Sequence, residues 1–416
     1  LRNYLLDNTQ PIELIDLGSG IFESATVDSN ILIFVKTKNN KKPIIGLDIS
    51  KEKTFIDFNI FEYKKVEIYP QNDEVWSISN INEQTLKNKF DSKGKLIKDW
   101  NVQINRGILT GLTEAYIIDE NTKKKFLNEN TKNNEIIVPI LRGRDVSRYK
   151  IEFQNQYLLN VHNGYGDNPM INIDEYPEIK KHLSDFEPQL SKRYDKGNTP
   201  YNLRNCAYID SFLEPKIIWK EMSSETPFSI DKQGYFTNDT ITFLTGKNLE
   251  YLLALLNSKL CLYIYSKYYS GGGLGSTGIR FKKEFLSNLP LIEISLEKQQ
   301  PFIEKANQML SLNKELQELS DKFQRTLKRK FSLEDLSKKL QEWYNLSFSD
   351  FIKELGKQKI KLSLAEESEW EDYFITEQQK AQSIKNTITQ TDKEIDQMVY
   401  ELYGLTKEEI EIVEKG

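Results

Sequence analysis

Histidine and cysteine are scarce in this sequence of 416 residues, and no two of its prolines are adjacent. The two histidines, His162 and His182, stand far from the two cysteines, Cys206 and Cys261, and none of them has the close spacing of zinc ligands. The sequence therefore predicts no metal site and two reduced, buried thiols, which is usual in a cytoplasmic protein.

Long apolar runs free of charge are also missing. The most apolar stretch, residues 249–269, contains Glu250, Lys259 and Lys267, and charges at that density are costly in a bilayer. We therefore expect a buried helix here, no membrane partner and a cytoplasmic location. The serine elbow, the phosphate-binding lysine loop and the His-Glu-x-x-His motif are absent as well, so the sequence predicts no hydrolase or nucleotidase centre of these kinds.

The formal net charge of −5 is spread unevenly. Residues 251–330 hold 13 Lys and Arg against 7 Asp and Glu, whereas residues 331–416 hold 11 against 19. Phosphate contacts depend on local charge, because salt screens charges beyond about 8–10 Å. The balance is therefore compatible with binding to nucleic acid without requiring it.

Short apolar runs separated by turn residues indicate β-strands in residues 1–62, at 12–18, 30–36, 43–50 and 54–61. The polar segment KTKNNKK, 36–42, is typical of a hairpin turn between the second and third runs. Because the chain starts within an amphipathic element, we expect these strands to complete a larger sheet that begins upstream.

The remaining sequence divides into segments that differ in composition and in hydrophobic pattern. Residues 63–105 are a polar connector, and residues 106–295 mix strands with two helices, one beginning after Pro177 and one at 249–269. Residues 296–416 form a helical, coiled-coil-like region, in which two helices carry apolar stripes of Leu310, Leu316, Leu319, Phe323 and Leu327 and of Ile384, Ile388, Ile395, Val399 and Leu402. Gly404 should end the second helix and Thr406 should cap the next. Dimerisation through these helices is left open.

The segment FESATVDSNILIFVK, 22–36, resembles the late motif of amino-adenine DNA methyltransferases. With residues 1–22 it resembles the stretch after the catalytic strand of gamma-class, Taq-like enzymes and of type IIG restriction–modification enzymes. In that family the target base leaves the duplex and stacks on aromatic rings. The resemblance implies that Phe22 is the stacking residue, while by itself a Phe before a turn is more often an ordinary core residue.

The segment LRGRDVSRY, 141–149, resembles the opening of the target-recognition domain in the same enzymes. It brings Arg142, Arg144 and Arg148 close together, and guanidinium groups suit phosphate oxygens or the edge of guanine. The alternative is a structural ion pair between one of these arginines and Asp145.

Two later segments, 215–231 and 234–246, follow in the order that the family uses. Trp219 and Phe243 are expected in the core. Because neighbouring side chains of a strand point to opposite faces, Lys220 should then point into a cleft.

The glycine-rich segment 270–291 contains a formal G-x-G-x-x-G at Gly273, Gly275 and Gly278, but a dinucleotide site needs a preceding strand and a following helix. We interpret it as a loop that approaches DNA, with phosphate contacts at Arg280, Lys282 and Lys283. Its last residues resemble the close of recognition domains in these enzymes and in type I specificity subunits.

The segment 393–416 resembles the end of many type IIG enzymes. The family's Asn/Asp-Pro-Pro-aromatic loop and its early glycine-rich loop for S-adenosylmethionine are both absent. The resemblance therefore implies that the full-length protein is an S-adenosylmethionine-dependent N6-adenine methyltransferase. The chain itself, expected to be inactive and without bound cofactor, would contribute double-stranded DNA recognition beside its own methyltransferase half.

The predicted fold class is mixed α/β (α+β). It comprises the tail of a Rossmann-like methyltransferase sheet, an α+β target-recognition domain and a carboxy-terminal helical hairpin. Two other functions stay open at this point: a non-catalytic specificity module like a type I specificity subunit, and a helical interaction scaffold. An upstream Asn-Pro-Pro-Tyr would argue against the first, and salt-dependent DNA binding would argue against the second.

Overall fold

The structure, a computed structural model, describes residues 1–18, 20–22, 28–50, 65–69, 76–270 and 278–415. The chain divides into two compact units. The first unit comprises Leu1–Leu296 and Val399–Gly416, and the second unit comprises Glu297–Met398. The division into functional domains given above stays a prediction.

The first unit opens with the helix Arg2–Asn8 and a sheet of four strands. These strands are β1 (Gln10–Gly18), β2 (Ser29–Val35), β3 (Ile44–Asp48) and β4 (Val66–Ile68), in the order β2-β1-β3-β4. Strand β1 pairs antiparallel with β2 and parallel with β3. A small core of Ile15, Leu47 and Ile49 lies against this sheet.

The prediction of a hairpin turn at residues 36–42 was wrong. Strands β2 and β3 lie on opposite sides of β1 and do not pair with each other, so the polar segment is a crossover connection. A polar run between two apolar runs looks the same in both cases, because non-local packing decides which strands become neighbours. The strand expected at 54–61 lies outside the described residues.

The described residues of the first unit contain fourteen further strands: β5 (Lys95–Leu96), β6 (Val102–Arg106), β7 (Ile117–Asp119), β8 (Ile137–Leu141), β9 (Val146–Ser147), β10 (Lys150–Ile151), β11 (Gln156–Leu159), β12 (Lys216–Lys220), β13 (Met222–Ser223), β14 (Ser229–Asp231), β15 (Phe236–Thr237), β16 (Ile241–Gly246), β17 (Ile279–Arg280) and β18 (Pro290–Leu291). Two four-stranded sheets result, in the orders β15-β8-β11-β7 and β14-β12-β16-β6. The pairs β10-β9, β13-β17 and β18-β5 are smaller.

The first unit also contains short helices. The α-helices are Ile81–Lys93, Thr113–Tyr116, Glu120–Glu129, Pro177–Ser184, Glu187–Lys192, Leu249–Leu256, Lys259–Ile264, Lys283–Leu286 and Lys407–Lys415. Single 3₁₀ turns occur at Ile97–Asp99, Thr131–Glu135, Gly143–Asp145, Ile173–Glu175 and Ile209–Phe212, and a π-helical turn occurs at Tyr265–Tyr269. The mixed α/β fold class is thereby confirmed.

The sheets β15-β8-β11-β7 and β14-β12-β16-β6 contribute to one apolar core. Trp219 and Phe243 are fully buried, as predicted. Phe212 stacks on Phe236 with ring centroids 4.8 Å apart and contacts Phe243 at 4.7 Å. The apolar stretch 249–269 is also buried, but it breaks into two helices at Ser258, whose hydroxyl caps the second one.

The helix Ile81–Lys93 anchors the carboxy-terminal residues of the first unit. Phe90 stacks on Tyr403 at 4.7 Å, and Lys89 forms an ion pair with Glu409. Gly404, at φ +63°, ends the long helix before it, and Thr406 and Glu409 cap the last helix reciprocally. The predicted roles of Gly404 and Thr406 are confirmed.

The second unit is helical. Its long helices, Leu296–Phe331 and Leu364–Tyr403, are joined by the shorter helices Lys338–Gln341 and Phe348–Lys357 and by the 3₁₀ turn Trp343–Asn345. The carboxy-terminal helices predicted from leucine spacing are present, with Phe323 and Leu327 buried. The connecting segment supplies Trp343 and Phe351 to the same core. Among the described residues of both units, no helix combines the length and apolarity needed to cross a membrane.

Candidate nucleic-acid interface

The Arg-Gly-Arg-Asp loop leaves strand β8 and makes one 3₁₀ turn, Gly143–Asp145. The buried Asp145 carboxylate accepts the Arg142 backbone N–H at 2.7 Å and closes the turn. The guanidinium groups of Arg142 and Arg144 lie 3.9 and 3.8 Å from its two oxygens. Arg142 is mostly covered, whereas the Arg144 side chain is 70% exposed. The ion pair with Asp145 and an outward-facing arginine therefore coexist.

Electrostatics leave this loop with a positive surplus. Burial raises the pKa of the Asp145 carboxyl above its ordinary value, against the Arg142 amide and the two guanidinium groups. Burial also lowers the pKa of Arg142, and the neighbouring charge of Arg144 adds to that effect. Two guanidinium groups thus share one carboxylate whose charge is disfavoured by burial, which favours an additional anion such as a phosphate.

The loop is held against the turn between β15 and β16. The Gly143 N–H donates to Thr240 Oγ1 at 2.9 Å, and the Thr240 hydroxyl donates to Asn238 Oδ1 at 2.6 Å. A Cβ at Gly143 would lie 3.0 Å from Thr240 Oγ1 and 3.5 Å from Lys220 Cβ, which places Lys220 directly beside the loop. Lys220 is half-buried, and its neighbour Trp219 points into the core, as the strand alternation predicted.

Arg106, at the end of β6, lies on the same surface. It was not predicted as a site residue from the sequence. Its Nε donates to the Asp239 carbonyl at 3.1 Å, its guanidinium lies 3.9 Å from the Asp239 carboxylate, and its side chain is 56% exposed. The next residue, Gly107, packs so tightly that a Cβ there would lie 1.9 Å from the Asn238 carbonyl oxygen. The sequence feature that could have indicated this site residue is an arginine followed by a glycine at the end of a strand.

Arg280 reaches this surface through strand pairing. Strand β17 pairs with β13, so Arg280 lies opposite Met222, two residues beyond Lys220. The next residue, Phe281, fixes this strand to the core. Its buried ring stacks on Tyr265 with centroids 4.9 Å apart, and its carbonyl accepts the Trp219 indole N–H at 2.7 Å. Arg280 is therefore held on a rigid anchor.

These contacts connect a set of cations that we call the basic rim: Arg106, Arg142, Arg144, Lys220 and Arg280. The links run from Arg106 through Asp239 and Thr240 to Gly143, and from Gly143 through Lys220 and Met222 to Arg280. Asp239 and Glu221 lie among them, so the rim mixes signs while remaining net positive. Met222 is an exposed apolar side chain within the rim.

Three other predicted DNA contacts are Arg148, Lys282 and Lys283. Arg148 braces the fold, because its Nε donates to Thr226 Oγ1 at 3.0 Å and its terminal nitrogen to the Asn257 carbonyl at 2.7 Å. Lys282 and Lys283 follow Phe281 at the start of the helix Lys283–Leu286, and Lys283 is exposed.

Three further residues complete the account of the predicted site. Gly273 and Gly275 lie outside the described residues. Phe22 lies in the connection after β1, outside the strands, and is 59% exposed, so it is not a core residue. Within the described ranges, no group of three or more His, Cys, Asp and Glu side chains has the arrangement of a metal site.

Thr240 makes a direct test of how the loop is held. Replacing Thr240 with valine should remove the acceptor for the Gly143 N–H and speed hydrogen exchange of that amide about fivefold, which corresponds to a hydrogen bond of about 1 kcal/mol. Thr240→Ser keeps the hydroxyl and should leave the exchange rate unchanged. Equal rates in both variants would contradict this account of the loop.

Two family models and a curated protein match parts of this chain. Residues 138–291 match the family described as the TaqI-like C-terminal specificity domain, and residues 295–399 match a family described as a domain of unknown function (DUF8810). The curated Type II methyltransferase M.BstVI of Geobacillus stearothermophilus is 22% identical over 317 residues, which cover 70% of this chain and 54% of that protein. The chain thus spans about half the length of this relative.

Two solved structures are similar to the chain. One is the Type IIL restriction–modification enzyme MmeI in complex with DNA, at 12% identity and a TM-score of 0.47. The other is the type IIG restriction endonuclease BpuSI, at 15% identity and a TM-score of 0.35. Each match covers 74% of this chain and 39% of the other chain.

Proposed function

We propose that the chain recognises specific sites in double-stranded DNA through the basic rim. Residues 138–291 match the TaqI-like C-terminal specificity domain, and the chain is similar to a Type II methyltransferase, which supports this proposal. The observation that carries this proposal is the geometry of the rim. Arginines from a strand end, a 3₁₀ turn and a paired strand are brought to one surface by contacts between distant parts of the chain.

The chemistry of the rim supports DNA as the ligand. Exposed guanidinium groups can bind phosphate oxygens or the O6 and N7 atoms of guanine, and an exposed Met222 can contact the methyl group of thymine. The buried Asp145 and Trp219 and the hydroxyl of the exposed Thr240 hold the backbone that carries these cations, so little backbone freedom is lost on binding. Arg144 and Arg280 are the contacts that we rank first.

The reaction of the whole protein is proposed in turn. We infer transfer of a methyl group from S-adenosylmethionine to adenine N6, with Phe22 stacking on the displaced base. The residues of this chain do not fit a binding site for that cofactor. Its sequence has no glycine-rich loop between a strand and a helix in a βαβ unit, and no Asn-Pro-Pro loop. We therefore assign no step of methyl transfer to this chain.

A methyltransferase half is the partner that we propose for the first sheet. In the described residues β2 lies at the end of the sheet, with exposed apolar side chains at Ile31, Ile33, Phe34 and Val35. An exposed apolar edge strand is a ready template for further pairing, and soluble proteins usually cover it. This supports residues 1–62 as part of a larger methyltransferase sheet.

Removing charge from the rim tests the proposed function. Arg144→Ala with Arg280→Ala should weaken binding to duplex DNA on the order of 10- to 100-fold at physiological salt. If both arginines contact phosphates, the slope of log K against log salt should also fall by about 2, because each phosphate contact releases about one counterion. Fluorescence anisotropy over a salt series measures both quantities.

A matched control removes the same charge from the second unit, with Lys314→Ala and Arg325→Ala. Both side chains are exposed there, so this variant should bind DNA within about twofold of the parent chain. Equal losses in the two double variants would mean that net charge, rather than the rim, determines binding.

A further inference from the structure

Residues 193–205 form a loop between the helix Glu187–Lys192 and the 3₁₀ turn Ile209–Phe212. Tyr194 in this loop is 98% exposed, although the residue before it, Arg193, is buried. A single exposed apolar side chain is common and needs no explanation by itself. Unlike an ordinary surface loop, however, this loop is held by hydrogen bonds from a buried arginine.

Arg193 ties the loop to the core of the first unit. Its guanidinium donates to the carbonyl of Thr110, to the Tyr116 hydroxyl at 2.8 Å and to the carbonyls of Pro200 and Asn202 at 2.8 and 3.1 Å. Pro200 and Asn202 belong to the later part of the loop, whereas Thr110 and Tyr116 belong to the segment that follows β6. The backbone that displays Tyr194 is therefore held before any ligand arrives, which lowers the entropic cost of binding.

Asparagine side chains gather on the same loop. Asn163 Oδ1 accepts the Asn198 backbone N–H at 2.7 Å, and its Nδ2 donates to the side-chain oxygens of Asn198, at 3.3 Å, and of Asn205. A Cβ at Gly197 would lie 2.5 Å from Asn163 Oδ1, so the close packing requires glycine there. Asn198 and Asn205 remain exposed. A carboxamide can bind adenine N6 and N7 together, and an exposed tyrosine offers a large, rigid contact surface.

The loop lies within reach of the basic rim. Arg193 donates a hydrogen bond to Thr110, and only three residues lie between Thr110 and Arg106, which makes four steps from Cα to Cα. That segment spans at most about 14 Å when fully extended. One turn of a DNA duplex is about 34 Å long. A duplex seated on the rim can therefore pass the loop within a single turn.

We propose that the loop 193–205 together with Asn163 is a base-reading surface for double-stranded DNA. Asn198 and Asn205 read adenine edges there, and Tyr194 places its ring against the neighbouring bases. This inference rests on the proposed function and deepens it, because it separates the residues that choose the sequence from the rim that grips the duplex.

The test uses the full chain and a pool of random duplexes. After selection with the parent chain, the affinities for the enriched duplex and for an unrelated duplex are measured for Asn198→Ala with Asn205→Ala and, separately, for Tyr194→Ala. Each variant should lose about 5- to 100-fold for the enriched duplex and keep the salt slope and the affinity for the unrelated one. Their thermal unfolding midpoints should stay close to that of the parent chain, since the changed side chains and the hydrogen bonds that they accept from Asn163 are exposed.

Tyr69→Ala is the matched control, because Tyr69 is an exposed tyrosine on the first sheet. It should select the same sequence with the same affinity as the parent chain. If the loop variants also select that sequence with affinities within twofold, the inference is overturned while the proposed function stands. If the parent chain does not bind duplex DNA, both are overturned.

Discussion

Replacing Lys216 with alanine is expected to lower the free energy of unfolding of the first unit by about 3–5 kcal/mol. The Lys216 ammonium and the Asp231 carboxylate are 2.6 Å apart and both side chains are 0% exposed. Burial lowers the pKa of Lys216 even with the carboxylate beside it, so the pair is costly to bury. Removing the cation would leave Asp231 charged, buried and without its main partner.

Hydrogen exchange followed by mass spectrometry can assign this loss to the first unit, because peptides from the two units are measured separately. Lys220→Ala is the matched control, since Lys220 lies on the same strand but is partly exposed and should change stability by less than about 0.5 kcal/mol. A loss below about 1 kcal/mol for Lys216→Ala would contradict the assignment of a buried, charged pair.

Phe323→Ala should destabilise the second unit by about 3–5 kcal/mol. The Phe323 ring stacks on Trp343 with centroids 3.7 Å apart and also contacts Tyr373, at 5.5 Å, and Trp370, at 6.3 Å. Truncation would therefore leave a cavity lined by aromatic rings that cannot close without moving both long helices. We expect peptides around Trp343 and Trp370 to exchange faster, while peptides from the first unit keep their protection.

Leu364→Ala is the control for this variant, because Leu364 is exposed at the start of its helix and should change stability by no more than about 0.5 kcal/mol. Equal effects of the two substitutions would mean that residues 323, 343 and 370 do not form the core of the second unit.

The sequence predicted the features that short-range patterns encode. The spacing of apolar residues indicated the two long helices, and Gly404 and Thr406 indicated a helix end and a cap. Trp219 was expected in the core and is buried. The resemblance to a methyltransferase family also predicted a role in DNA contact for the Arg-Gly-Arg-Asp loop. Each of these features is contained in a few neighbouring residues.

What the sequence did not predict depends on contacts between distant residues. Arg106 joins the rim only because its strand ends beside the turn at Asp239. Arg148 lies in the same motif as Arg144, yet tertiary contacts turn it inward to Thr226. The crossover between β2 and β3 looked like a hairpin for the same reason. The density of Asn, Gly and Pro in residues 193–205 was a visible signal of a loop, but only the fold shows that a buried Arg193 holds it.

The central claim, recognition of specific duplex DNA by this chain, is tested most directly by selection. The chain is incubated with a mixed pool of duplexes at two salt concentrations, and the retained DNA is sequenced. We predict enrichment of a short motif that contains adenine, with an affinity that falls as salt rises. Retention without any enriched motif, or binding that does not change with salt, would contradict the claim.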